Sequence, residues 1–497
     1  MSGSRRRDKV RRRARFAFQA NRLDGAMSSH RTTRFSLPSL SFWLLAALLT
    51  VLLFTGGASR SDTSGQVFVR IASMLVLILA VLFGDRLQPG SARPLFYMVG
   101  LAILLPLLQL VPLPPSWWQM LPGRAIFARP EIGGNVWRPL AVIPGAALNA
   151  AASLVVPLAV LVAGAGLREG ERLWTLTLLL ILVTLAMLVG LAQLSAGGFD
   201  YPFVNDTVGL ISGPFANRNH FALLLTLGML VSPIWIWLGQ DGTRRSGSGR
   251  GRGVAAWRVP IAVGLVIVLL LLILATGSRA GTLLGVLGLL IGLLLARQGL
   301  LRAVRRLPGW APWAIGAGIA ALVLVFVSIS VAAGRAVSID RAFALDAAQD
   351  MRARALPTVL AMVRDYFPVG SGFGSFEPLF RLHEPFALLK PTYFNHAHND
   401  FLEIVLEGGV PALLLLGTGL VWWVLASVRA WRRNGTPAVV LGRAGSAMLL
   451  LILIASIFDY PARTPMVMAL IMLAALWLCW ATDLGPSSPL RNEADHL

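Results

Sequence analysis

The sequence predicts an all-α fold: a polytopic integral membrane helix bundle with about twelve transmembrane helices. Only 13% of the 497 residues are charged and the mean hydropathy is +0.70, so the chain is too apolar for a soluble protein of this length. Apolar stretches also recur at the length of roughly 20 residues that a helix needs to cross a bilayer.

In chain order, the hydropathy pattern predicts spans near 41–57, 66–84, 95–113, 147–167, 173–195, 219–239, 259–276, 281–296, 311–333, 409–428, 440–458 and 464–482. One large outer (periplasmic) loop, residues 334–400, precedes the last three spans, and its length indicates a function. The expected domains are a disordered basic cytoplasmic tail (1–37), an integral membrane domain (38–482) and a cytoplasmic C-terminal tail (483–497).

The net charge of +21 is typical of nucleic-acid-binding proteins, but here the cations are distributed by membrane side. With a cytoplasmic N-terminus, Lys and Arg are enriched on the cytoplasmic side, as the positive-inside rule predicts. The basic run Arg5–Arg13 then anchors the topology against anionic lipid, and no nucleic-acid partner is expected. The single cysteine, Cys479, excludes an internal disulfide and a cysteine metal cluster.

Four polar segments fall at the ends of predicted spans, all on the outer face, where they can converge. They are 217–220, 276–281, 395–400 and 459–465. Arginines at helix ends usually extend toward the lipid headgroups, but Arg218, Arg279 and Arg463 lie on the side that the positive-inside rule disfavours. A cationic pocket here predicts an anionic substrate, and the forked guanidinium donors suit phosphate.

The densest polar segment contains two of the chain's six histidines, His396 and His398. Three roles are open: metal ligands together with Asp400, structural groups bonded to the backbone, or a general base. The base is favoured because histidine titrates near neutral pH and Asp400 or Glu403 can orient the ring. The predicted spans have almost no charge at their centres, which favours an outer-surface enzyme over an ion-coupled transporter.

A glycine run precedes this segment, with Gly370, Gly372 and Gly374 at alternate positions. Glycine tolerates a positive φ and a close backbone approach, so the run predicts either a tight turn or contact with a ligand.

These motifs, in their order and sidedness, resemble the O-antigen ligase and polymerase superfamily of bacterial envelope polysaccharide assembly. The residues that carry the resemblance are 213–222, 278–281, 370–374, 398–403, 407–411 and 459–465. Ala412 departs from the family pattern, in which a glycine is expected at that position.

The resemblance implies a bacterial inner-membrane enzyme that transfers a glycan from undecaprenyl pyrophosphate to an acceptor hydroxyl at the periplasmic face. His398 is expected as the base, with His396 and Asp400 beside it. The other site residues are expected to be Arg218, Arg279 and Arg463 on the pyrophosphate, and Asn219, His220, Asn399 and Glu403 in support. Transfer is expected to be inverting and to need no metal or cofactor. Ligation and repeat-unit polymerisation share this chemistry; a non-enzymatic polysaccharide or lipid exporter and a metalloenzyme are the alternatives of other classes.

Overall fold

The computed structural model describes residues 37–85, 87, 89–127, 136–196, 201–204, 210–246, 250–304, 309–310, 313, 316–318, 351–389 and 394–483. Leu37 and Pro38 belong to an N-terminal unit, and the description below concerns the compact unit that begins at Ser39.

The helices are α1 (Leu40–Thr55), α2 (Gly65–Phe83), α3 (Arg93–Leu108), α4 (Pro115–Met120), α5 (Pro144–Ser153), α6 (Val155–Ala165), α7 (Glu169–Arg172), α8 (Trp174–Ala196), α9 (Arg218–Ser246), α10 (Arg250–Thr276), α11 (Arg279–Val304), α12 (Met351–Tyr366), α13 (Phe376–His383), α14 (Asp400–Arg432), α15 (Pro437–Phe458) and α16 (Pro465–Asp483). Strands β1 (Pro112–Leu113) and β2 (Arg138–Pro139) pair antiparallel. Short 3-10 turns lie at Gly90–Ala92, Ala125–Phe127, Phe386–Leu388 and Pro461–Arg463.

The predicted fold class, an all-α polytopic membrane protein, is confirmed. Within the described residues, 10 helical segments are long and apolar enough to cross a membrane, and α1 is a shorter apolar helix. The predicted span 311–333 lies almost entirely outside the described residues, so the number of about twelve spans stays a prediction. The predicted span 147–167 is divided into α5 and α6, and α14 begins at Asp400, well before 409.

The helices divide into a central group and a lipid-facing group. The apolar windows of α9 and α16 are 89% and 83% buried, whereas that of α2 is only 28% buried. A lipid-facing helix needs no burial because lipid tails are as apolar as its side chains. Glycines permit close contact in the centre: a Cβ at Gly445 of α15 would lie 2.3 Å from the carbonyl oxygen of Ala474 on α16.

A break in α14 receives the glycine run of the outer loop. Pro411 has no N–H, so the carbonyl of Glu407 loses its helical donor; it accepts instead from the Gly372 N–H, at 2.9 Å, and from Gln109 Nε2, at 3.0 Å. At the same break the Val410 N–H donates to the Pro368 carbonyl, at 2.8 Å.

The glycines on both sides of this contact adopt backbone conformations that side chains disfavour. Gly409 has a φ of +57°, and Gly370, Gly372 and Gly374 also have positive φ values. A Cβ at Gly409 would lie 2.2 Å from the Pro368 carbonyl oxygen. Of the two roles predicted for the glycine run, the structure therefore displays the tight turn, which fixes the loop to α14.

We expect Gly409→Ala to lower the free energy of unfolding by about 2 kcal/mol or more, because it combines a strained φ with a backbone clash. Gly417→Ala is the matched control on the same helix, since a Cβ there meets nothing within 4 Å; it should be neutral or slightly stabilising. Thermal unfolding in detergent measures both, and equal melting temperatures for the two variants would contradict the role assigned to Gly409.

Candidate functional site

The four polar segments meet at one end of the bundle, where α1 ends and α9, α11, α14 and α16 begin; we call this the site end. Asn219 of α9 donates to Asp459, in the turn between α15 and α16, at 2.6 Å. The hydroxyl of Ser278, before α11, donates to Asn219 Oδ1 at 2.7 Å. His396 contacts Ser59, which follows α1, at 2.9 Å. Hydrogen bonds thus join residues that are far apart in sequence, and the largest connected set is the network around Asp459.

Asp459 lies at the centre of this network and is only 4% exposed. One carboxylate oxygen, Oδ1, accepts from His398 Nδ1 and from the Tyr460 backbone N–H, both at 3.0 Å. The same oxygen lies 3.9 Å from Nε2 of His220, a buried residue on α9. Because the carboxylate accepts, the proton of a neutral His398 ring resides on Nδ1, which leaves the Nε2 lone pair available.

The second oxygen of Asp459, Oδ2, accepts from three side chains. Asn217 Nδ2 lies 3.0 Å away, Asn219 Nδ2 2.6 Å away, and an Arg352 guanidinium nitrogen 3.3 Å away. Burial alone would raise the pKa of Asp459, but the hydrogen bond from His398 and the positive charges around the carboxylate outweigh burial and hold the pKa well below its usual range. Asp459 is therefore ionised wherever histidine titrates.

His398 lies at the partly exposed edge of the network, in a constrained backbone conformation. Its φ is +50°, the one positive φ of a non-glycine residue in the described part of the chain. Its ring packs against Phe394 and Tyr460, each with centroids 4.9 Å away. The side chain is 17% exposed, and among the described residues no group hydrogen-bonds to Nε2. A single lone pair thus remains for an external proton donor.

Asn399 holds the backbone next to His398 as the N-cap of α14. Its Oδ1 accepts from the Leu402 N–H and its Nδ2 donates to the Ile457 carbonyl, each at 3.0 Å. Such a cap satisfies an otherwise unpaired donor of the first helical turn.

His396 is held more completely than His398. Nδ1 contacts Glu403 Oε1 at 2.8 Å and Nε2 contacts Ser59 Oγ at 2.9 Å, so both ring nitrogens have partners. Glu403 also accepts from the Ala397 N–H at 2.8 Å. The ring of His396 packs against Tyr460 with centroids 4.3 Å apart. These contacts fix the loop that carries His398.

A buried ion cluster lies beneath the histidines. Asp400, Glu403 and Glu407 follow one face of α14, at 3%, 1% and 0% exposure. Arg463 contacts all of them: its guanidinium lies 2.8 Å from Glu407, 3.5 Å from Glu403 and 3.5 Å from Asp400. Burial alone would lower the pKa of Arg463, but these carboxylates outweigh burial and raise it above its usual range. The cluster ties the α15–α16 turn to α14.

The sequence-predicted site residues therefore divide into two groups. Asn219, His220 and His398 surround Asp459, with Arg218 and Arg279 as the first residues of α9 and α11. The second group forms the ion cluster and consists of Asp400, Glu403 and Arg463. His396 connects this cluster to the loop before α14 through its contact with Glu403. Arg279 is exposed and Arg218 is partly exposed, whereas Arg463 is engaged by carboxylates.

Two residues of the site were not predicted from the sequence. Asp459 was part of a polar segment that the sequence singled out, but its partnership with His398 joins residues from different turns. Arg352 lies in the large loop, two residues from the similar Arg354, and carries no local signal.

Among the described residues, no group of three or more His, Cys, Asp or Glu side chains has an arrangement that could hold a metal ion.

We expect Arg463→Met to destabilise the protein by about 3–5 kcal/mol, because it leaves buried carboxylates without their cation. Thermal unfolding in detergent measures the loss, and the double variant Arg463→Met, Glu407→Gln should recover part of it. Arg381→Met is the control: Arg381 pairs with Glu377 on an exposed helix turn, where an ion pair contributes about 0.5 kcal/mol or less. An Arg463→Met variant as stable as the control would contradict the role of the cluster.

Comparison with known families supports the resemblance that the sequence motifs indicated. The sequence model of one family, O-antigen ligase, matches residues 264–417. The match begins within α10 and ends within α14, so it includes Arg279, Arg352 and His398, while Arg218 and Asp459 lie outside it. No curated protein matches the chain. The membrane-length helices and the match over residues 264–417 together support the resemblance to the O-antigen ligase superfamily.

Proposed function

We propose that this protein transfers a glycan from undecaprenyl pyrophosphate to a sugar hydroxyl of an acceptor, with His398 as the base. The observation that carries the proposal is the state of His398: Asp459 holds Nδ1 at 3.0 Å, and Nε2 has no hydrogen-bond partner among the described residues. A ring so oriented accepts a proton at Nε2, and the resulting imidazolium is stabilised by the carboxylate.

In the proposed step the acceptor oxygen attacks the anomeric carbon of the donor while its proton passes to His398 Nε2. A carbon–oxygen bond forms to the acceptor, and the bond from the anomeric carbon to the pyrophosphate oxygen breaks. Its electron pair leaves with undecaprenyl pyrophosphate. Direct in-line attack inverts the anomeric centre. Pyrophosphate is already a good leaving group, so the step requires charge stabilisation and a base but no general acid.

Arg218 and Arg279 are the proposed ligands of the pyrophosphate. Each is the first residue of a helix at the site end, where the N-terminal partial charge also favours an anion. Each adjoins the Asp459 network, because Asn217 and Asn219 flank Arg218 and Ser278 precedes Arg279. For Arg463 we propose a positioning role instead, since three carboxylates of the protein already surround its guanidinium.

The contacts favour His398 over His396 as the base. His396 has partners on both ring nitrogens, so it would have to break a bond to Ser59 before accepting a proton. We propose that His396, Glu403 and Asp400 position the loop, and that Asn219, His220 and Asn399 support the Asp459 network and the start of α14.

We propose the bacterial inner membrane as the location, with cytoplasmic termini and the site end facing the periplasm, as the positive-inside rule indicates. Membrane lipids and lipid-linked glycans are the expected partners, without nucleic acid. Ligation to a lipid-linked acceptor is our preferred reaction; repeat-unit polymerisation uses the same donor chemistry with another acceptor.

We expect His398→Ala to lower the rate of transfer by about 10²- to 10⁴-fold, because losing a general base has this effect. Transfer of glycan from a lipid-pyrophosphate donor by purified protein is the measurement. His383→Ala is the matched control from the same loop, where Nδ1 contacts the Leu379 carbonyl at 2.8 Å. Transfer at near wild-type rate by a folded His398→Ala protein would return this histidine to a structural role, whereas absence of transfer by the wild-type protein would favour an exporter.

We also expect transfer to survive a chelator, because two arginines and a base supply the proposed chemistry. The same assay is run with and without EDTA. Loss of transfer on chelation, with recovery on adding back one divalent ion, would replace the proposed mechanism by a metal-dependent one.

A further inference from the structure

Among the described residues of the large outer loop, Arg352 is the arginine that contacts Asp459. It lies at the start of α12, and its guanidinium nitrogen is 3.3 Å from Asp459 Oδ2. Its side chain is 35% exposed, whereas that of Asp459 is only 5% exposed. The pair thus joins a buried carboxylate to a cation that a ligand can reach.

The two oxygens of Asp459 serve different partners. Oδ1 faces His398 and Oδ2 faces Arg352. If Arg352 departs, Oδ2 retains its hydrogen bonds from Asn217 and Asn219, so the carboxylate stays in place while its negative charge is less compensated. A less compensated carboxylate attracts a protonated imidazole more strongly.

Arg352 shares its partner, Asp459, with the residues on either side of Arg218 in the chain. Asn217 and Asn219, the neighbours of Arg218 in the chain, donate to the same carboxylate oxygen as Arg352. We place the pyrophosphate at the start of α9, whose asparagines contact this carboxylate, and phosphate oxygens are strong partners for a guanidinium.

We propose that Arg352 exchanges its ion pair with Asp459 for the pyrophosphate of a bound donor, so that donor binding increases the proton affinity of His398. The inference rests on the proposed function and deepens it. His398 then becomes a stronger base when the donor is bound. Arg352 both binds the donor and, by leaving Asp459, makes the carboxylate charge less compensated.

Other charged and titratable groups face His398 and Asp459, and none provides the same link. His220 of α9 is buried at 3.9 Å from Asp459. His396 is held by Glu403, and Tyr460 packs among the three histidine rings. Of these groups only Arg352 combines a contact to Asp459 with a side chain that is about one third exposed.

The test is a binding experiment, since coupling is reciprocal: if donor binding increases the proton affinity of His398, protonation of His398 must strengthen donor binding. The affinity of the full-length protein in detergent for undecaprenyl pyrophosphate, the part of the donor that Arg352 is proposed to bind, is measured between about pH 5 and pH 8. The proteins are wild type, Arg352→Gln, His398→Gln and the double variant. The pH dependence that His398→Gln removes is the part due to His398.

We expect Arg352→Gln to weaken binding by about 10-fold and to remove most of the pH dependence due to His398. Arg354→Gln is the matched control, because Arg354 lies on the same helix turn but donates to the Ala387 carbonyl, at 2.8 Å. It should leave affinity and its pH dependence close to those of wild type. Thermal unfolding of each variant identifies any that fail to fold, and Arg352→Lys then serves as the conservative replacement.

Two results would overturn the inference. In one, Arg352→Gln binds the donor as wild type does. In the other, it binds more weakly but keeps the whole pH dependence due to His398, so that Arg352 is a ligand without coupling to the base. Both leave the proposed function standing if transfer still requires His398. Transfer that does not require His398 defeats the proposed function separately, in the assay described above.

Discussion

The buried carboxylate of Asp459 draws together side chains from three other elements, because a charge with 4% exposure needs hydrogen-bond donors to replace its water. The donors come from the start of α9, from the loop before α14, from α12 and from its own turn. None of these elements is adjacent in sequence. Their ends converge on one carboxylate, and this convergence, more than any single motif, defines the site end.

A second constraint acts on the loop that carries His398. Pro411 interrupts α14 near its start, and the outer loop pairs with the backbone groups that the interruption frees. The carboxylates of α14 also bind Arg463, which lies in the same turn as Asp459. The helix break fixes the outer loop, which contains His398, and the ion cluster fixes the turn that contains Asp459. Independent contacts therefore hold the two residues of this pair.

The fold class and most helices follow from the sequence because a membrane span is a local property: apolar composition over a fixed length identifies it. The convergence of the polar segments also follows, since helices that alternate across a membrane place every second turn on the same side. Pairings within the site do not. Asp400 and Glu403 are near His398 in sequence and were expected to orient it, whereas the partner of its ring in the structure is Asp459.

Such pairings are decided by tertiary packing, which the local spacing of residues in the sequence does not reveal. Arg463 illustrates the same limit. Its position outside a span, on the side that the predicted topology disfavours for cations, predicted a ligand for an anionic substrate, but helix packing places three carboxylates around it. Arg352 gave no sequence signal at all, because it stands on an amphipathic helix among other arginines.

In the proposed mechanism, a base beside a pyrophosphate site faces two opposing electrostatic demands. The arginines that bind the anion lower the proton affinity of a neighbouring imidazole, so the base needs a carboxylate. An exposed carboxylate would repel the anionic donor. Burying Asp459 and surrounding it with asparagine amides and one arginine meets both demands, because its charge is directed at the Nδ1 of His398 and screened from the mouth of the site.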